Sequence, residues 1–230
     1  MPKDPQARCS LVPPQPMPAG AAEFAKKVHG MLDGQPKDEA TVAKELEGMD
    51  GMFDLIAAGL YSIASMLVGA GEDSIRLIET AVANADMSTS NDPARARRGS
   101  RRALASAALE LIASRDAASL AAPENLEPVA TCIDGDDLDA AGVSRDELER
   151  MMAGPDRDRV RTWLESLPTD LRTVFVLRAV AGFTTPETTE LLIEHGGPQA
   201  AGWTGDAVRA LFRQALCSLA SQFIHESTAH

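Results

Sequence analysis

The chain has 230 residues and a net charge of −12; hydrophobic residues make up 44% of it and aromatics 4%. That is enough for one large domain or two small ones, with a core of Ala, Leu, Val, Ile and Met, and this composition predicts an all-α fold because Ala and Leu favour helix and strand formers are sparse. A pI near 4.8 does not suit a simple polycationic nucleic-acid binder, and no apolar run approaches the roughly 20 residues of a membrane span.

The first 20 residues carry Pro2, Pro5, Pro13, Pro14, Pro16 and Pro18, which reads as a flexible lead-in without a signal-peptide core. Two short helices are expected over 21–32 and 38–46. From Met52 to Leu67, Phe53, Ile56, Leu60, Ile63, Ala64 and Leu67 recur at helical spacing, and Gly69 and Gly71 end the run. Glu72, Asp73 and Ser74 open the next helix, with Ile75, Ile78 and Val82 expected on one face. A third helix spans Ala94 to Ser114, Arg-rich at its start and apolar towards its end. Residues 117–154 read as a linker containing a short helix at 144–152. The remaining helices are expected over 158–166, 169–180, 184–193 and 204–225.

Charge is segregated along this plan. From Asp116 to Asp156 there are eleven acidic residues against Arg145 and Arg150 alone, whereas Arg95, Arg97, Arg98, Arg101 and Arg102 cluster at the start of the third helix. That cluster is either a solvated helix start or a surface for nucleic acid or an acidic partner. Cys9, Cys132 and Cys217 are odd in number and widely spaced, which argues against a disulfide framework and for a reducing, cytoplasmic compartment. No ligand-spaced His/Cys cluster suggests a metal, and the run Asp134, Asp136, Asp137, Asp139 lacks the closing Glu of a calcium loop. There is no phosphate-binding Gly loop, no nucleophile elbow and no activated serine, so neither a cofactor nor enzymatic activity is expected. Trp163, set among Val160, Leu164 and Leu167, reads as core; Trp203 is open between core packing and base stacking.

The C-terminal block carries the most specific signal. Leu167-Pro168 closes one helix, Thr169 caps the next, and Gly182 breaks it. Thr184-Thr185-Pro186-Glu187 is a capping-box sequence, and Thr204 caps the last helix, with Val208, Leu211, Phe212 and Ala215 on one stripe and Arg209 and Arg213 beside it. Leu167-Pro168, Arg172, Val174-Phe175, Leu177-Arg178, Gly182-Phe183-Thr184 and Glu187 resemble the −35 recognition domain of bacterial sigma factors, most closely the extracytoplasmic-function class. The resemblance implies a helix-turn-helix whose final helix enters the major groove, with Arg209 and Arg213 as DNA contacts, Arg172 and Arg178 as phosphate contacts and Thr204 as the cap.

A second match lies upstream. Leu60-Tyr61, Ile63-Ala64, Leu67-Val68-Gly69, Glu72-Asp73, Leu77-Ile78 and Ala85 resemble the core-polymerase-binding helices of the same family, and Asp92-Pro93 with Leu104 and Ala108 resembles the start of its −10-element helix. The implied organisation is an extension over 1–51, a polymerase-binding domain over 52–115, an acidic linker over 116–156 and the helix-turn-helix domain over 157–230. The implied polymerase-binding positions are Arg76, Glu79 and Thr80, and Arg95, Arg97, Arg98, Arg101 and Arg102 offer a −10 or acidic-partner surface. The implied partners are core RNA polymerase, promoter DNA bound weakly by the chain alone, and an anti-sigma factor, with no membrane. The departures are specific: eleven residues, 193–203, separate the two helices of the motif, and Leu211, Gln214 and Leu216 stand where the family commonly has Arg. In the −10 stretch Ala103, Ala105, Ser106 and Ala107 replace the usual aromatic and basic residues. Net acidity and this thin surface suit an alternative, a degenerate sigma fold that binds a regulatory protein without reading DNA. The linker acids are expected to lie over an Arg-bearing surface.

Overall fold

The computed structural model describes residues 59–84, 93–123, 132–133 and 135–227, which lie in one compact unit. The expected extension over 1–51 and its two short helices fall outside the described residues, as does the start of the helix from Met52. Among the described residues there are α-helices and short 3₁₀ and π turns but no strand, so the all-α expectation holds.

Helix α1 is described over 59–68 and ends at Gly69, whose φ of +91° an L side chain rarely adopts. Helix α2, Glu72–Asn84, follows, with two acids in its first turn where the helix dipole favours them. Its inward residues are Ser74, Leu77 and Ala81, while Ile75 and Val82 are each 51% exposed. The expected face is therefore corrected at Ile75 and Val82, by about a third of a turn, while Ile78 is partly buried against the core. Apolarity alone favours the branched residues, but packing closely against a neighbouring helix uses the small side chains Ser74 and Ala81.

Helix α3, Pro93–Arg115, packs against α2 and also against α7, Thr185–His195. Leu104, Ala105, Ala108, Leu109 and Ile112 are its buried stripe, at the 3–4 residue spacing of a helix face. The two blocks that resemble sigma domains thus contribute to one continuous hydrophobic cluster. Between them lie a 3₁₀ turn at Asp139–Ala141 and α4, Arg145–Ala153, which Ser144 caps by accepting the Glu147 N–H. Helix α5 is Arg157–Ser166, and α6 is Thr169–Phe175, continued by a π turn over Val176–Val180. Helix α8, Gly205–Ser227, closes the described chain. Its stripe of Val208, Leu211, Phe212, Ala215 and Leu219 is buried. Phe212 lies 6.2 Å from Phe175, and Trp163 meets Phe175 edge-on at 5.0 Å, so Trp163 is core as expected.

One expectation is overturned. Cys132 and Cys217 form a disulfide with Cα atoms 5.6 Å apart, tying the acidic segment to α8. A separation of 85 residues carries no local spacing signal; the fold alone brings the two thiols together.

Candidate functional site: a capped helix pair and an arginine-lined cleft

Helix α7 begins with the capping box read from the sequence. The Thr184 hydroxyl accepts the Glu187 N–H, and the Glu187 carboxylate accepts the Thr184 N–H at 2.9 Å. Pro186 fits the first turn, where no intrahelical donor is needed. The eleven residues between Leu192 and Thr204 have a definite structure. Helix α7 runs on to His195, and a 3₁₀ turn, Pro198–Gly202, follows. Trp203 is 3% exposed, and its indole N–H donates to the Leu120 carbonyl at 2.9 Å. The Ala122 N–H donates to the Gln199 carbonyl at 3.1 Å. The insertion therefore holds the segment that leaves α3, and Trp203 is a core side chain rather than a surface for stacking on bases.

Thr204 caps α8 by accepting the Ala207 N–H at 3.2 Å. Arg209 is exposed and paired with Asp206 one turn earlier. Arg213 is half-buried, and its Nε is enclosed without a hydrogen-bond partner among the described residues. Arg172 is half-buried in the same way, and burial pushes its guanidinium below the usual arginine range. Arg178 is fastened inward. It donates to the carbonyls of Phe183 at 3.0 Å and Asp136 at 2.9 Å, and lies over the Phe212 ring at 4.9 Å. Burial lowers its pKa, with Asp136 and Asp137 acting against the shift. This contact with the acidic segment is made by the Asp136 backbone carbonyl, not by an acidic side chain.

The arginine cluster of α3 meets the acidic face of α7. Arg98 pairs with Glu187, and Arg102 lies 3.1 Å from Glu190 and 3.6 Å from Glu194. Two turns further along α3, Glu110 lies 2.8 Å from Nδ1 of His195, the residue after Glu194. Glu187, Glu190 and Glu194 recur at helical spacing, as do Arg98 and Arg102, so each set shares a face. The spacing was visible in the sequence; that the two faces meet was not. Arg95, Arg97, Arg98 and Arg101 also line a cleft of about 650 Å³ together with Arg145 from α4 and the Ala181-Gly182-Phe183 turn. Arg145 was not among the sequence candidates, because it lies in the acidic segment. On α2, Arg76 is exposed and 2.5 Å from Glu72, the Thr80 hydroxyl donates to the Arg76 carbonyl at 2.8 Å, and Glu79 is exposed beside Ile75 and Val82.

Comparison of this chain with models of known protein families, with curated proteins and with solved structures finds no match. No described helix is long and apolar enough to cross a membrane.

Proposed function

We propose that this chain is a sigma-factor-like transcription regulator that binds core RNA polymerase through α1 and α2 and promoter DNA through α8, without catalysis or a cofactor. The observation that carries this reading is the α7–α8 pair. A capping box opens the first helix, a threonine caps the second, the stripe 208, 211, 212, 215 is buried, and Arg209 lies on the outer side. That is the local construction a groove-reading helix needs. The mixed face of α2, with Ile75, Arg76, Glu79 and Val82 outward, supports a protein partner there.

With two arginines on α8 and a net charge of −12, duplex binding by the chain alone is weak, and polymerase supplies the second attachment. The test is duplex binding with and without core polymerase, for the native chain and the Arg209→Ala/Arg213→Ala double variant. Polymerase-dependent binding that the variant lacks supports the reading; equal binding by the variant, or none by either, removes it.

A second reading rests on a different observation. Arg98 and Arg102 are engaged by Glu187, Glu190 and Glu194, so the −10-like surface is turned towards the helix pair instead of towards a strand of DNA. This favours a degenerate sigma fold that binds an anti-sigma factor or another regulator. Retention of an anti-sigma protein with no retention of core polymerase in a pull-down selects this reading over the first.

A further inference from the structure

We infer that the cleft between α3, α4 and the Ala181-Gly182-Phe183 turn binds a compact ligand carrying two linked phosphates, held chiefly by Arg101 and Arg145. This does not depend on either reading of the DNA-binding helices.

Two guanidiniums from different elements converge here. Arg145 enters at the first residue of α4 and lies flat against Gly182: a Cβ built on Gly182 would stand 3.1 Å from Arg145 Nη1 and 3.3 Å from Nη2. Gly182 has φ +78°, so both its conformation and its lack of a side chain suit the approach. Arg101 reaches the same turn, donating to the Ala181 carbonyl at 3.3 Å. Neither has a carboxylate within ion-pair distance among the described residues. After desolvation, the strongest influences on Arg101 are the like charges of Arg145 and Arg97, which all lower its pKa, while Glu149 acts weakly in the other direction. Arg145 is exposed and Arg101 half-buried; like charges gathered in this open cleft repel one another, and an anion between them removes that repulsion.

The form of the ligand follows from the surroundings. Guanidinium forks match phosphate oxygens in bidentate geometry, and two forks suit two phosphates. Ala181 and Phe183 are buried behind the arginines, so charge rather than an apolar wall carries the recognition. A long polyanion is disfavoured, because Glu187, Glu190 and Glu194 stand along the next turns of the same seam and repel a continuing backbone.

The test is calorimetric titration of the full chain with inorganic pyrophosphate at about 0.15 M salt, where surface attraction is screened beyond roughly 8 Å. We expect saturable one-to-one binding, weaker binding of orthophosphate, and a loss of at least about tenfold in Arg145→Gln. Arg150→Gln, an exposed substitution on the same helix outside the cleft, leaves the affinity within about twofold. Far-ultraviolet circular dichroism establishes that each variant is folded; Arg101→Gln, tested in the same way, removes the second fork and should also lose at least about tenfold. Absence of saturable binding, or an equal loss in Arg150→Gln, overturns the proposal. So does displacement of pyrophosphate by a single-stranded oligothymidylate at equal phosphate concentration, which would make the cleft part of a strand-binding surface.

Discussion

Arg98 on α3 is paired with Glu187 in the first turn of α7, and the same carboxylate closes the capping box with Thr184. One side chain therefore serves both the start of a helix and the seam between two sequence blocks. Burial acts to raise the Glu187 pKa, but the Thr184 N–H and hydroxyl and the Arg98 guanidinium outweigh it and hold the carboxyl at about 2.

That depression has a sign that can be tested. A carboxyl lowered on folding contributes stability in full above its unfolded pKa, near 4.5, and loses that contribution as pH falls towards 2. Urea unfolding of the native chain and Glu187→Gln across this range should show a stability gap at pH 7 that narrows at pH 3. Parallel curves would show that the carboxylate is not specially held.

The seam itself should be weak and sensitive to salt. Arg102 and Glu190 are 39% and 52% exposed, so a double-mutant cycle between them should give a coupling of at most about 1 kcal/mol, smaller still at 1 M salt. A coupling that stays constant with ionic strength would contradict a solvated ion pair.

Trp203 is the position where one residue of the insertion matters most to the fold. Trp203→Ala removes a buried ring and should cost about 3–5 kcal/mol. Trp203→Phe keeps most of the apolar volume but leaves the Leu120 carbonyl without its donor, and should cost about 1–3 kcal/mol. Denaturant midpoints for the two variants rank the effects; equal and small losses would mean that the insertion is not anchored.

Helices were legible wherever periodicity, caps and breakers agreed. The capping box at Thr184–Glu187, the cap at Thr204 and the buried stripe 208, 211, 212, 215 all read directly from spacing, because each is decided within one or two turns. Ile75 and Val82 misled because hydrophobicity does not say which side a neighbouring helix takes, and Ser74 and Ala81 allow the closer approach. The site was legible only in pieces. Arg98 and Arg102 stood out as a cluster, but their partners Glu187, Glu190 and Glu194 lie some 90 residues later. Arg145 was hidden by the acids around it. Such pairings depend on tertiary packing, which no local pattern encodes.

The Cys132–Cys217 bond turns residues 132–217 into a covalent ring containing α4 to α7 and the first half of α8. A closed loop of this length restricts the unfolded chain and typically contributes about 2–4 kcal/mol. It also changes what a cut can do. A protease that nicks the acidic segment between Ile133 and Asp156 opens the ring without releasing a fragment, so the nicked chain migrates as one species until a thiol is added and as two thereafter. The α8 end thus stays tethered, after such a cut, to the block that carries α1 to α3.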